Sequence, residues 1–225
     1  LDNSPPTAAS PLIDVSLSTL MRQRTEVLHR RAERSGVIAA ILAGTVSRRA
    51  YALYLRNLLP AYETMEAGLR RHGESPGIGA LAHQNPPRTD SLIADLDCLE
   101  GTGWRRTLPL LPRGQRYADR VAAAADSPNG DLLLAHAYTR VLGDLNGGRI
   151  LRRRLLQRFG SAFQAVAFTA FPGIPDLPAF AKSYRTALDE AGRRVVNREA
   201  VVREAEHAFL LNIEVAEDVM SESEA

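Results

Sequence analysis

The sequence predicts an all-α protein built as a single domain. Three observations carry that reading. Apolar residues recur at spacings of three and four along nearly the whole chain, the period of a helix with one buried face. No stretch alternates apolar and polar residues as a half-buried strand does. Of the 225 residues 45% are hydrophobic, enough material for one well-buried core.

About eight helices are expected. The first runs from about Ser16 to Ser35, with Leu17, Leu20, Val27, Leu28 and Ala32 apolar and Gly36 as its stop. A short one covers Val37 to Ala43 and ends at Gly44. Ser47 caps a long helix reaching about His72, bent at Pro60, where an amide is missing and the ring crowds the preceding turn. Glu74 to Arg88, with three prolines, reads as a surface loop. Thr89 opens a helix that ends by Gly101. Pro109 and Pro112 precede another at about Arg113 to Ala125, and Ser127-Pro128-Asn129-Gly130 makes a turn. From Asp131 to Phe159 the pattern is helical but interrupted at Gly143, Gly147 and Gly148. After the loop around Pro172-Gly173-Ile174-Pro175 come helices from Pro178 to Ala191 and from the Asn197 cap to Val219.

Composition excludes several classes. No apolar run approaches the roughly 18 to 20 residues that span a bilayer, so no membrane anchor is expected. Residues 1–12, rich in Pro, Ser and Ala, read as a flexible tail and not a secretory signal, which points to the cytoplasm. Residues 13–220 form the expected domain and 221–225 a C-terminal tail. The single cysteine, Cys98, rules out an internal disulfide and a cluster of several thiolates. Lys182 is the only lysine among 28 basic residues, so arginine is this protein's ordinary cation and a run such as Arg152-Arg153-Arg154 reads as a solvated face. With a net charge of only +2, nucleic-acid binding is not expected.

Three glycines in one helix cost roughly 1 kcal/mol each relative to alanine. They return that cost if the backbone bends there or if a flat ligand lies close against it. Asp144 beside them suits an acid that organises ordered water and protons. His29 lies on an amphipathic helix with Arg22 seven residues earlier, close to the same face. Its imidazole is a candidate iron ligand with a cation nearby for an anionic group. His72, His83, His136 and His207 remain alternatives on spacing alone, and His136 shares a face with Gly143.

The stretch Ala135-His136-Ala137-Tyr138-Thr139-Arg140-Val141-Leu142-Gly143-Asp144-Leu145-Asn146-Gly147-Gly148 resembles the distal-helix signature of the biliverdin-forming haem oxygenases. Glu26-Val27-Leu28-His29-Arg30-Arg31-Ala32-Glu33 resembles that family's proximal segment, and Ala208-Phe209-Leu210-Leu211-Asn212-Ile213 is a third match. The similarity runs from about Leu17 to Val219.

The resemblance implies a helical haem oxygenase fold holding haem b between a proximal helix and a glycine-kinked distal helix. Haem is then both cofactor and substrate. It is opened at a meso carbon to biliverdin, carbon monoxide and ferrous iron by dioxygen and electrons from a ferredoxin or a NAD(P)H-dependent reductase. His29 takes the iron-ligand role, and no other metal is implied. Asp144, with Tyr62 and Arg140, holds a water chain that delivers protons. Arg22, Tyr138 and Arg185 match positions that fix the haem propionates, and Glu33, Thr139, Gly143, Gly147, Gly148 and Phe209 complete the implied haem pocket. The sequence departs from the family in having Ala181 where a lysine precedes that arginine by four, Glu26 where a basic residue is common, and Asn146 for serine.

Two other readings are compatible with parts of the pattern. A non-catalytic haem holder shares the fold but has no use for Asp144. A di-iron carboxylate oxidase would use the spacings Glu26-x-x-His29 and Glu204-x-x-His207 with Glu63 or Glu66; that reading leaves the glycines without a purpose.

Overall fold

The computed structural model describes residues 15–224, so the expected tail at 1–12 lies outside the described residues. Those residues form helices and turns, and no strand occurs among them. Helix α1 spans Leu17–Ala32 and is capped by Ser16, whose hydroxyl accepts from the Thr19 amide. Helix α2, Gly36–Ala43, follows and stops at Gly44 in the left-handed region. Gly36 itself has φ +47°, and a Cβ there would lie 2.0 Å from the Ala216 carbonyl oxygen, so the start of α2 can sit on the backbone of the last helix only as glycine.

Helix α3, Arg48–Arg71, is capped by Ser47 and runs without a break through Pro60. Thr64 donates its hydroxyl to the Pro60 carbonyl, one turn on. The expected loop at 74–88 contains a short helix, α4, Gly79–Gln84. There Gly79 lets the chain fold tightly onto the Gly73 carbonyl. Helix α5, Thr89–Glu100, is followed by a one-turn helix, α6, Trp104–Thr107, anchored by the buried indole of Trp104, which donates to Asp97 at 2.8 Å. Helix α7, Pro112–Ala125, starts on proline, whose missing amide costs nothing at a first helical position.

The segment after the 127–130 turn departs most from expectation. Helix α8, Leu133–Ala137, leads into a π-helical turn at Tyr138–Leu142, and only then does helix α9 begin, Gly143–Phe159. The irregularity therefore precedes Gly143, and α9 passes through Gly147 and Gly148 as a regular helix. A π turn inserts a residue into the ladder and swings the side chains that follow, a device found mostly at functional sites. The irregular hydrogen bonding lies at Tyr138–Leu142, directly before Gly143, and the glycines contribute their missing side chains. A 3₁₀ turn at Ala167–Thr169 interrupts the next loop. Helix α10, Leu177–Gly192, and helix α11, Arg198–Glu224, complete the fold. Asn197 accepts from the Ala200 amide as the cap of α11, and the helix continues to Glu224, through most of the expected C-terminal tail.

Helices α3 and α11 are the two spines. The first packs on α5 and α7, and the second on α1, α2, α3, α7 and α8. Their apolar faces, among them Leu53, Leu55, Leu58 and Tyr62 of α3 and Ala205, Leu211 and Val215 of α11, join one core. No helix among the described residues is long and apolar enough to cross a membrane.

Candidate active site

The π turn positions the first group. Arg140 projects from it into the interior and donates to three partners on three elements: the Asp144 carboxylate one turn on at 3.0 Å, the Tyr62 hydroxyl of α3 at 2.7 Å, and the Asn212 side-chain carbonyl of α11. Tyr62 in turn donates its hydroxyl to the other carboxylate oxygen of Asp144. Asn212 donates to the Tyr117 hydroxyl at 3.1 Å and to the Ala208 carbonyl. Both oxygens of Asp144 are thus held, and the guanidinium is braced from three directions, so the acid has a fixed place in the first turn of α9. Burial pushes the Asp144 carboxyl above its ordinary value, against the pull of Arg140 and the Tyr62 hydroxyl. Burial likewise pushes the Tyr62 phenol well up, so it remains a donor at neutral pH.

Next to this acid lies a bare strip of helix. A Cβ built on Gly143 or Gly147 meets nothing within 4 Å, and four residues place the two on one face. A planar ligand can approach the backbone there. Gly148, which the sequence groups with them, points elsewhere. A Cβ on it would lie 2.9 Å from the Thr169 carbonyl, so this glycine packs α9 onto the 167–169 turn and does not line the open strip. Thr139, also expected in the pocket, is buried and donates its hydroxyl to the Ala135 carbonyl of its own helix.

The second group comes from α1. The His29 imidazole is more than half exposed, with Nδ1 3.7 Å from the Glu33 carboxylate one turn on. The Glu33 carboxylate lies near Nδ1 but beyond hydrogen-bonding distance, and no hydrogen bond from the described residues engages Nε2. The ring of Phe209 stands 5.8 Å from that of His29. Phe209 and Asn212 are three residues apart on α11. One face of that helix therefore meets the His29 ring through Phe209 and Arg140 through Asn212.

A third group is cationic. The Ser18 amide and hydroxyl donate to Asp189 at 2.8 and 3.0 Å, which ties α1 to α10. Arg22 of α1 and Arg185 of α10, both exposed, then flank Tyr138 of the π turn. Burial raises the Tyr138 phenol, and the Thr25 hydroxyl and these two cations oppose that rise. Two guanidiniums and a phenol at one edge suit a pair of carboxylates.

Two of the remaining histidines are committed elsewhere. His136 is fully buried, with Nε2 2.9 Å from Glu204, and Glu204 is also held by both arms of Arg120. His72 sits on the Ala125 carbonyl at 2.8 Å. With Glu204 so bound, the two Glu-x-x-His pairs do not converge, and no three metal-ligating side chains come together among the described residues. Sequence reasoning missed Asn212 and Tyr117 as parts of the distal network. Asn212 stood within the third matched stretch; Tyr117 carried no signal, being an aromatic on an amphipathic helix.

The residues present fit a haem: a free imidazole nitrogen, a side-chain-free strip, a cationic edge and a fixed acid. A family model described as heme oxygenase matches residues 15–218. Heme oxygenase 1 of Synechocystis is 33% identical over 204 residues, covering 90% of this chain and 84% of that protein. Heme oxygenase 1 of Homo sapiens is 31% identical over 206 residues, 90% of this chain and 71% of the human protein. The crystal structure of the Synechocystis heme oxygenase-1 in complex with heme superposes with a TM-score of 0.84 at 31% identity, covering 92% of this chain and 94% of that one. Heme oxygenase from Leptospira interrogans gives 0.83 at 30%, covering 90% and 99%. With the family model spanning the whole arrangement from α1 to α11, the chain belongs to the heme oxygenase family.

Proposed function

We propose that the reaction of the family is carried out here by three groups of side chains with separate tasks. That reaction opens haem at a meso carbon to biliverdin, carbon monoxide and ferrous iron, using dioxygen and reducing equivalents. Haem, as substrate, brings the iron at which dioxygen is activated. His29 would hold the iron through Nε2, with the Glu33 carboxylate near Nδ1 favouring the proton there. Gly143 and Gly147 admit the macrocycle against α9, and Phe209 supports the proximal side. Asp144 and Tyr62 hold and pass protons on the distal side, and Arg140 keeps them in place. Arg22, Arg185 and Tyr138 hold the propionates, and this choice of seating sets which meso carbon faces the acid.

The observation that carries the reading is the braced Asp144 beside the Gly143/Gly147 strip. Simple retention of haem needs no largely buried acid held at one oxygen by Tyr62 and at the other by Arg140, which Tyr62 and Asn212 brace in turn. Titration with hemin should give a sharp Soret band at one equivalent. Reduction in air with ascorbate or a ferredoxin system should then consume the band and yield bilin and carbon monoxide. A Soret band that survives that reduction would make this a haem holder without turnover.

Electrons come from an acidic ferredoxin or a NAD(P)H-dependent reductase. Support for a donor of that charge is the exposed side of α9, where Arg149 and Arg153 with Arg152, Leu156 and Gln157 line a shallow depression of about 410 Å³ one turn beyond the glycine strip. The reading places the reaction in the cytoplasm, where such donors are reduced.

A further inference from the structure

The 3₁₀ turn at Ala167–Thr169 lies in the 17-residue connection between α9 and α10, at 160–176, where nothing in the reaction requires order. It is nevertheless held by two buried charged side chains, Arg88 at the start of α5 and Asp95 in the middle of that helix. Asp95, 1% exposed, accepts from the Ala167 amide at 2.8 Å and from the Phe168 amide at 2.9 Å. Arg88, 2% exposed, donates to the Phe168 carbonyl and lies over the Phe171 ring at 4.1 Å and the Phe168 ring at 5.3 Å. Glu66 of α3 takes the Arg88 and Thr89 amides at 2.7 and 3.0 Å and so fixes the end of α5 from which Arg88 reaches. Burying a carboxylate and a guanidinium is expensive even when they are paired, so the turn is being held for a purpose that an apolar plug would not serve.

Two contacts state that purpose. The Phe168 and Tyr62 rings meet edge to face, centroids 5.5 Å apart at 86°. The Thr169 carbonyl is the surface on which Gly148 rests. Tyr62 carries the hydroxyl bound to Asp144, and Gly148 is four residues beyond Asp144 on α9. The turn therefore touches both α3 at Tyr62 and α9 one turn beyond Asp144. Tyr62 and Glu66 are themselves one turn apart on α3, so a displacement of the Arg88 end of α5 is transmitted to the same phenol.

We infer that Asp95 and Arg88 are positioning residues for haem cleavage, acting by holding the 167–169 turn as the floor that sets Tyr62 and the Asp144 turn of α9. The inference rests on the assignment of Asp144 and Tyr62 as the distal proton groups. Asp95 touches neither haem nor dioxygen in this scheme, and its effect is passed through Phe168 and Thr169.

The test uses Asp95→Asn, which keeps size but can accept with one atom only, and Phe168→Leu, which leaves the hydrogen bonds of Asp95 and Arg88 to the turn's backbone intact and removes the ring that meets Tyr62 and lies under Arg88. In the haem-free protein, Asp95→Asn should speed exchange of the Ala167 and Phe168 amides about tenfold or more while α3 and α11 stay protected. Both variants should bind hemin at one equivalent with the His29 ligand retained. Both should move the midpoint of the ferric complex's acid-to-alkaline spectral change, and cut turnover about fivefold or more with little change in KM. Unchanged midpoints and turnover in the face of faster exchange would reduce the turn to a structural element and overturn the inference. If Asp95→Asn does not fold, Phe168→Leu decides alone by the same midpoint and turnover. Asp144→Asn run alongside separates the two layers: if it too leaves midpoint and turnover unchanged, the distal assignment has failed, whereas loss only in Asp144→Asn rejects the positioning role by itself.

Discussion

Asn212 of α11 accepts a hydrogen bond from Arg140 of the π turn, 72 residues away in sequence, and through it the last helix braces the distal acid. Asn212 is 9% exposed and its amide nitrogen is spent on Tyr117 and Ala208. Asn212→Ala therefore strands a buried guanidinium N–H, which costs about 1.5–3 kcal/mol for a charged donor. Thermal melts of the haem-free protein should show that loss, and turnover should fall with hemin affinity largely kept.

The glycines should separate by experiment. Gly148→Ala drives a Cβ toward the Thr169 carbonyl and should destabilise the haem-free protein, because a backbone atom cannot step aside. Gly143→Ala and Gly147→Ala meet open space and should be neutral or stabilise by up to about 1 kcal/mol through helix propensity. Hemin titration should show the reverse order, with affinity lost at 143 and 147, where the side chain occupies the ligand's place.

Two histidines also part company. His29→Ala removes an exposed side chain, so stability should hold while the ferric complex loses its nitrogenous axial ligand, as seen by electron paramagnetic resonance. His136→Ala should keep that ligand and lose about 2–4 kcal/mol, since it opens a cavity and takes a partner from buried Glu204.

Stability should respond to acid in two opposite ways. The hydrogen bonds from His136 and Arg120 overcome burial and hold Glu204 down to about 2, below the ordinary glutamate value of 4.5. Its contribution is complete above pH 4.5 and is lost as the pH falls toward 2. Burial raises Asp95 to about 6 against its backbone hydrogen bonds, from an ordinary 3.8. Its charged form is penalised above pH 6, and proton uptake by the folded state adds stability as the pH falls from about 6 to about 4. Urea midpoints should therefore rise slightly into that window and drop below it, and Asp95→Asn should remove the rise alone.

Charge reversal on the exposed side of α9, Arg149→Glu with Arg153→Glu, should slow turnover driven by an acidic ferredoxin, more so at low ionic strength. Turnover driven by ascorbate should be unchanged. Equal loss with both reductants would remove this face from the docking reading.

The local signals in the sequence were sufficient wherever the physics is local. Ser47 and Asn197 cap the helices they were expected to cap, because a hydroxyl or amide reaches an amide three residues on whatever surrounds it, and Ser16, read as the start of the first helix, is its cap. The helical period and the absence of alternation gave the fold class, and His29, Gly143 and Asp144 stood out by residue type and matched stretch. Other features were decided by partners distant in the chain. α4 exists because Gly79 meets Gly73, and α6 because Trp104 finds a buried site and Asp97.

The sequence by itself determined that this is a helical haem oxygenase with an imidazole on its first helix and an acid beside a glycine strip. Only the tertiary structure decided how that inventory is divided. It put the irregular turn before Gly143 and turned Gly148 away toward Thr169. It committed His136 to Glu204, and it recruited Asn212, Tyr117 and the Asp95-held turn around the acid. Each of these choices is a hydrogen bond or a close contact between residues tens of positions apart, and spacing along one helix carries no record of what lies across from it.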